Sequence, residues 1–155
     1  MTELIIFGAK YAVAVVMLGG TVTLAFAGER RRRLTYVLAI ALPLGYALAR
    51  VAGLFFAHNQ PFAVEGFEPA IPHAIDNSFP SDHVVLGGIF ASLAFLADHR
   101  VGLVLWAFTL LVGLSRMLAG LHYGVDVLAA ALLALGAVFV ARKVVLWVGG
   151  RQLYP

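Results

Sequence analysis

The chain has 155 residues, of which 62% are hydrophobic and only 12% are charged, with a formal net charge of +3. A soluble domain keeps roughly a quarter of its residues charged, so this composition excludes a water-soluble globular protein and equally excludes a disordered chain. The sequence contains no cysteine, which excludes a disulfide framework, a thiolate zinc site and a cysteine nucleophile.

Five apolar runs approach or exceed the roughly 20 residues that a helix needs to cross a bilayer. They predict an all-α, polytopic membrane helix bundle with a single domain over residues 1–155. The predicted spans are Leu4–Ala27, Leu34–Ala57, Val84–Ala97, Val101–Ala119 and Val125–Val148. The third is the shortest, and its helix is expected to begin one turn earlier, within Pro80-Ser81-Asp82-His83. Glu3 and the length of the first run argue against a removable signal peptide.

The distribution of basic residues predicts the orientation in the membrane, because lysine and arginine accumulate in cytoplasmic loops. With five spans, the loops from His58 to Phe79 and around Leu121–Gly124 contain neither residue. The N-terminus is therefore expected outside the cell and the C-terminus in the cytoplasm. A nucleic-acid partner is not expected, because the basic residues lie between membrane-spanning runs. The residues on the cytoplasmic side are Arg30–Arg33, Arg100, Arg142, Lys143 and Arg151.

Several ionisable side chains within or beside the spans are left unexplained by topology. Charges at membrane depth are costly and usually functional. Lys10 is explained by snorkelling of its side chain to the surface. The remaining ones lie near the outer face on four helices, which predicts one shared polar site there. They are Arg50, Asp82, His83, Arg116, His122 and Asp126.

The residue types at this site favour phosphate chemistry. Arginine pairs its donors with phosphate oxygens. Pro80 in a first turn, with Ser81 or Asp82 as the cap, is typical of a helix entrance, and a helix N-terminus attracts anions. His122 and Asp126 are spaced i, i+4 and share a helix face. The carboxylate can then accept from one imidazole nitrogen and leave the other as a nucleophile.

Other interpretations of the same residues remain open. A polar clamp between helices accounts for the histidine–aspartate pair taken alone, and simple capping accounts for the helix entrance. Serine hydrolysis at Ser81 or Ser115 is disfavoured, because no glycine-rich nucleophile turn surrounds either residue. A metal site is disfavoured because two arginines would face the cation. Its ligands would be His73, His83, His122 and Asp126.

The motifs resemble those of the type 2 phosphatidic acid phosphatase superfamily. Its third motif is matched by Ser115-Arg116, five residues, His122, three residues and Asp126. Its second motif is matched by Pro80-Ser81-Asp82-His83, in which the aspartate is typical of the undecaprenyl-diphosphatase branch. The stretches 58–62 and 76–79 also look like that branch, and the motif-bearing core covers residues 50–126.

The first motif departs from the family pattern of a lysine, a spacer and arginine-proline. Arg50 takes the place of the lysine, which preserves a charge. Gln60 stands where an arginine would precede Pro61, which removes one charge that would neutralise phosphate. Lys10 or Arg50 could compensate for that loss.

The resemblance implies a metal-independent phosphatase without a cofactor. His122 would attack phosphorus and form a phosphohistidine, Asp126 would orient and support it, and His83 would act as general acid. The phosphoryl oxygens would be held by side chains and by backbone N–H groups of the second motif. The residues implied for this binding are Arg116, Arg50, Ser81, Asp82 and, as an uncharged donor, Gln60.

The expected reaction is hydrolysis of a polyprenyl diphosphate, undecaprenyl diphosphate, to the monophosphate. It would take place at the outer face of a bacterial cytoplasmic membrane and serve recycling of the peptidoglycan lipid carrier. The expected partners are the lipid substrate and the bilayer. The alternatives are a phosphatidic acid or phosphatidylglycerol phosphate phosphatase, a non-catalytic lipid-phosphate binder or transporter, and a proton path through the two histidines.

Overall fold

The computed structural model describes residues 2–152, with side chains described through residue 149. The described chain is all-α, which confirms the predicted fold class. A short 3-10 turn, Gly28–Arg30, precedes the third helix. The helices are α1 (Thr2–Lys10), α2 (Ala12–Ala25), α3 (Arg31–Phe55), α4 (Pro61–Glu65), α5 (Asp82–Ala97), α6 (His99–Leu118) and α7 (Gly124–Gln152).

The lengths of the helices separate full membrane spans from a shorter one. Among the described residues, three helices are long and apolar enough to cross a membrane, namely Gly28–Phe55, His99–Leu118 and Gly124–Gly149. The bent pair α1 and α2 makes a fourth span when the two are taken together. The third predicted span corresponds to α5, which has only 16 residues. It begins at Asp82, ahead of Val84, as the sequence indicates.

The first predicted span is not one straight helix. Its two halves, α1 and α2, meet at a bend of 46°. At this bend the carbonyl of Ala9 accepts a hydrogen bond from Arg116 Nη1 at 3.1 Å. A side chain inserted into the carbonyl ladder is a recognised cause of sharp helix bends. Apolar periodicity does not reveal such a contact, because the donor lies on a different helix.

Helix α5 occupies the centre of the bundle and contacts α2, α3, α6 and α7. Because lipid provides no hydrophobic drive between helices, close packing of small residues holds them together. A Cβ atom added at Gly88 would lie 2.7 Å from Cβ of Ala134, so the glycine permits the approach of α5 to α7. The core between α3, α5 and α7 is correspondingly rich in fully or almost fully buried alanines, namely Ala41, Ala49, Ala130, Ala134 and Ala141.

The arginine-rich end of the bundle is built around the C-terminus of α5. Arg30 Nη1 donates to the carbonyl of Ala97 at 3.2 Å and lies 3.4 Å from that of Leu96. Cations are favourable at this position because the last carbonyls of a helix are unpaired. The cluster Arg30–Arg33 therefore lies at the same end as the α5–α6 connection, as the predicted topology requires. The side chain of Arg151 lies outside the described residues.

The loop between α3 and α5 folds back over the opposite end of the bundle. The N–H of Phe62, in α4, donates to the carbonyl of Gly120 at 3.1 Å, and that of Ala70 donates to Ala119 at 3.2 Å. Asn59 and Asn77 form an isolated antiparallel bridge between the two ends of the loop. These contacts hold the loop against the turn that connects α6 to α7, where His122 lies.

Candidate active site

His122 is buried in the turn between α6 and α7, and its ring is held by a backbone carbonyl. Its Nδ1 lies 2.8 Å from the carbonyl oxygen of Ser78 and 3.6 Å from Asp126 Oδ2. A carbonyl oxygen only accepts hydrogen bonds, so Nδ1 carries the hydrogen and Nε2 carries the lone pair. Within the described residues, Nε2 makes no hydrogen bond. The Ser78 carbonyl is the nearest partner of Nδ1, and Asp126 lies on the same side of the ring, as the i, i+4 spacing indicates.

Asp126 is fully buried in the first turn of α7 and lies between two imidazole rings. Its Oδ2 accepts from Ser78 Oγ at 2.6 Å and from the backbone N–H of Tyr123 at 2.8 Å. The second of these contacts pairs an unsatisfied donor at the helix N-terminus with an anion, which is favourable there. Its Oδ1 lies 3.0 Å from Nε2 of His58. Asp126 therefore contacts four groups, of which His122 is the most distant.

Sequence reasoning missed two residues of this site, His58 and Ser78. Both belong to loop segments, and no spacing rule relates a loop residue to His122 or Asp126. Asn77 positions both of them, because its Oδ1 accepts from the N–H of His58 at 3.2 Å. The N–H of Ser78 in turn donates to the carbonyl of His58 at 2.8 Å. The only earlier sign was that residues 58–62 and 76–79 resemble the undecaprenyl-diphosphatase branch.

The N-terminus of α5 positions Ser81 and His83. Ser81 is the N-cap residue and is fully buried, yet its Oγ makes no capping hydrogen bond and has no partner. Pro80 precedes the helix rather than lying in its first turn, which corrects the prediction for that residue. His83 lies in the first turn of the same helix and is half-buried. The N–H of Ser81 donates to the carbonyl of Asp126 at 3.4 Å, which places the start of α5, and with it His83, beside the start of α7.

The two arginines are held very differently. Arg116 is buried, with 7% of its surface exposed. Its Nη1 is bonded to the Ala9 carbonyl, and its Nε is buried without a partner. Arg50 is exposed at the rim, where it forms an ion pair with Asp82 and covers the ring of Tyr46 at 5.2 Å from the centroid. Arg116 thus has an unsatisfied donor in the interior, whereas the charge of Arg50 is already balanced by Asp82.

Gln60 does not have the free donor that its predicted role requires. The side chain is buried, and its Nε2 donates both to the carbonyl of Ala74 and to the carboxylate of Asp76. Its Oε1 accepts from the N–H of Asp76 at 3.1 Å. An amide nitrogen has two hydrogens, so both are used within the loop. This geometry corrects the expectation of a direct phosphate contact and makes Gln60 a brace for residues 74–76.

Lys10 lies at the bend between α1 and α2 and is exposed. Its ammonium group lies 5.2 Å from the centroid of the neighbouring Tyr11 ring. This position agrees with a side chain that reaches the membrane surface.

In the part of the chain that the structure describes, no three histidine, aspartate or glutamate side chains are grouped closely enough to hold a metal ion.

Comparison with known proteins assigns the family. Residues 33–149 match the family model of the PAP2 superfamily. The chain is 34% identical over 142 residues to the bacitracin transport permease protein BcrC of Bacillus licheniformis, covering 90% of this chain and 70% of that protein. It is 32% identical over 136 residues to the undecaprenyl-diphosphatase BcrC of Bacillus subtilis, covering 87% of this chain and 70% of that protein.

A solved structure has the same fold. The crystal structure of Aquifex aeolicus LpxE superimposes with a TM-score of 0.67 and 23% sequence identity, covering 92% of this chain and 82% of that chain. The family match extends over most of the chain and includes the second and third motifs. It confirms the resemblance drawn from those motifs. The chain therefore belongs to the PAP2 superfamily and is a multi-pass membrane lipid phosphatase of that family.

Proposed function

We propose that this protein hydrolyses undecaprenyl diphosphate to the monophosphate at the outer face of a bacterial cytoplasmic membrane. The observation that carries the proposal is the ring of His122, whose Nδ1 is bonded to the Ser78 carbonyl at 2.8 Å. That contact directs the lone pair of Nε2 away from Ser78 and leaves it available as a nucleophile. The name of the relative from Bacillus subtilis supports a polyprenyl diphosphate as substrate.

Two buried donors support an anionic ligand beside His122. Ser81 Oγ and Arg116 Nε are both buried and both lack a hydrogen-bond partner. Unsatisfied buried donors are rare in proteins and costly. The oxygens of a phosphoryl group would satisfy both, and the N-terminus of α5 would add backbone N–H groups and a favourable dipole. Arg50 and Asp82, which are exposed at the rim, would contact the diphosphate on its solvent side.

The first step transfers the terminal phosphoryl group to the enzyme. The lone pair of His122 Nε2 forms a bond to the terminal phosphorus, and the bond from phosphorus to the bridging oxygen breaks. The electron pair of that bond stays on the bridging oxygen of the lipid monophosphate, which takes a proton from His83, and the negative charge of the bound diphosphate favours the protonated form of this histidine. Arg116 and Ser81 stabilise the charge that spreads over the phosphoryl oxygens.

The second step regenerates the free histidine. A water molecule attacks the phosphorus of the phosphohistidine and gives its proton to His83, which is neutral after the first step. The bond from phosphorus to Nε2 breaks, and its electron pair returns to the imidazole as a lone pair. Inorganic phosphate leaves, and the Asp126 carboxylate supports the positive charge that His122 carries while it is phosphorylated.

Phosphate release from defined lipids tests the substrate. The purified protein is given undecaprenyl diphosphate, phosphatidic acid or phosphatidylglycerol phosphate in detergent with EDTA present. We expect the highest kcat/KM for undecaprenyl diphosphate. A higher value for either glycerophospholipid would assign the protein to that substrate class instead, because the three lipids require the same phosphoryl chemistry.

The variant His122→Ala tests the chemistry. We expect activity to fall by at least about 10³-fold, because the attacking atom is removed, while the protein still purifies as a monodisperse species. His99→Ala is the matched control, since His99 begins α6 at the opposite end of the bundle.

A phosphoprotein that is acid-labile should form with the lipid diphosphate and be absent from the His122 variant. A binder or transporter would instead keep its lipid affinity in that variant and release no phosphate in the unmodified protein.

A further inference from the structure

Both ring nitrogens of His58 face hydrogen-bond acceptors. Its Nδ1 lies 3.1 Å from the carbonyl oxygen of Phe56, and its Nε2 lies 3.0 Å from Asp126 Oδ1. A neutral imidazole has one N–H and one lone pair. In either neutral tautomer, one nitrogen would place its lone pair about 3 Å from an oxygen with no proton on either atom. The arrangement therefore requires one more proton, either on the imidazole or on the carboxylate.

The surroundings of Asp126 place that proton on His58. Oδ2 accepts from Ser78 Oγ and from the N–H of Tyr123, and both contacts favour the ionised carboxylate. Among the described residues, neither Oδ1 nor His58 Nε2 has a directional hydrogen bond. With the proton on His58, the two atoms form an ion pair, which supplies the buried carboxylate with an opposite charge.

We propose that His58 is a positioning residue that holds Asp126 in place as a charged imidazolium. Its cation fixes Oδ1, so that Oδ2 stays directed at Ser78, whose carbonyl holds the nucleophile His122. His58 acts through Asp126 and does not touch the substrate. The inference rests on the proposed function for its catalytic consequence, whereas the charge of His58 can be measured without any reaction.

Aromatic rings surround this ion pair, and one of them, that of Tyr123, carries a titratable hydroxyl. The His58 ring lies 6.0 Å from the ring of Phe79 and 5.5 Å from that of Tyr123, centroid to centroid. Asp126, from α7, is the only carboxylate paired with it in the described chain, and His122 lies beyond that carboxylate. About a third of the His58 side chain is exposed, so protons from solvent can reach it.

Substitutions of His58 separate charge from shape. His58→Gln keeps an uncharged N–H donor, and His58→Lys keeps the positive charge. We expect His58→Gln to lower kcat on the order of 10- to 100-fold, as for loss of a charged contact, with KM changed by less than about twofold. His58→Lys should restore most of kcat and keep it at more alkaline pH, because lysine holds its proton to a pH about 4 units higher than histidine. His99→Gln is the control.

A double variant tests whether His58 acts through Asp126. If it does, His58→Gln should cause no further loss of kcat in an Asp126→Asn background, because the ion pair is already absent. Equal kcat in wild type and His58→Gln, or full additivity with Asp126→Asn, would overturn the proposal. A rise in KM without a change in kcat would also overturn it, since that result indicates direct substrate binding.

Nitrogen NMR of the full chain with labelled histidines gives a readout that needs no turnover. The signal of His58 is assigned by its loss in His58→Gln and is expected to show protons on both ring nitrogens at neutral pH. In Asp126→Asn it should become the signal of a neutral ring. A neutral His58 in the wild type would overturn the inference even in an active enzyme. A wild type that releases no phosphate from any lipid, but has a charged His58, would refute the proposed function alone.

Discussion

At the scale of single residues, Ser78 connects the two halves of the predicted catalytic pair. Its Oγ donates to Asp126 and its carbonyl accepts from His122, although it lies 44 residues from the latter. The i, i+4 spacing predicted that His122 and Asp126 share a face, because that relation is local. The spacing could not show Ser78 or His58, because their places depend on how the loop between α3 and α5 folds.

Removal of the Ser78 hydroxyl should lower activity without loss of the fold. Ser78→Ala deletes the 2.6 Å hydrogen bond to Asp126, and a bond to a charged group contributes about 1.5–3 kcal/mol. We expect kcat to fall about 10- to 100-fold. Ser92→Ala is the matched control, because Ser92 is also buried but its Oγ has no partner. Equal losses in the two variants would show a packing effect rather than an effect on Asp126.

At the scale of helices, the N-terminal pair is tied to the site through Arg116. Helix α1 approaches α6 so closely that a Cβ atom at Gly8 would lie 2.2 Å from Ser115 Oγ and 2.8 Å from its Cβ. This approach brings the Ala9 carbonyl to Arg116. The sequence predicted the apolar segment correctly, but a continuous hydrophobic run does not reveal a bend that is caused by a contact with another helix.

A side chain at Gly8 should therefore impair phosphate binding. Gly8→Ala pushes α1 away from α6 and removes the Ala9 carbonyl from Arg116, so kcat/KM is expected to fall about tenfold or more, as for loss of a charged hydrogen bond. Ser115→Gly in the same chain removes the clashing atoms and should restore activity. Gly136→Ala is the control, since no atom lies within 4 Å of a Cβ atom there. Failure of the second substitution to rescue would contradict this account.

The start of α6 depends on a cap whose strength varies with pH. The N–H groups of Val101 and Arg100 donate to the Asp98 carboxylate, and these contacts hold the pKa of Asp98 below its ordinary value. The ionised cap therefore stabilises the fold above the unfolded-state pKa, and the stabilisation is lost as pH falls through the lower folded-state pKa. Asp98→Ala should melt at a lower temperature than wild type at pH 7, with the difference disappearing in strong acid. Glu29→Ala, an exposed residue at the same end, should show no such difference.

At the scale of the whole molecule, the cluster Arg30–Arg33 and the residue His122 lie at opposite ends of the bundle. Arg30 caps α5 at one end, and His122 lies under the loop between α3 and α5 at the other. Composition was sufficient to predict a helical membrane bundle, because apolar length alone specifies spans. It indicated that α5 is the shortest span but could not predict that this helix occupies the centre of the bundle, since a buried helix and a lipid-facing span have similar composition.

The absence of cysteine from the sequence makes the orientation directly measurable. Glu65→Cys lies at the end of α4 and Glu29→Cys lies in the turn before α3, both at exposed positions. A maleimide that does not cross membranes should label the first variant in intact cells and the second only after lysis. The reverse pattern would place the histidines in the cytoplasm.

The length of α5 affects how deep the reaction takes place. A helix of 16 residues rises about 24 Å, whereas the hydrocarbon layer is about 30 Å thick. With its C-terminus held at the arginine-rich surface, its N-terminus remains beneath the opposite headgroups unless the bilayer becomes thinner around it. The phosphates of the lipid substrate must then lie below the level of the headgroups when they reach the site, while its prenyl chain stays in the hydrocarbon layer. Turnover in vesicles should consequently slow as the acyl chains of the surrounding lipid are lengthened.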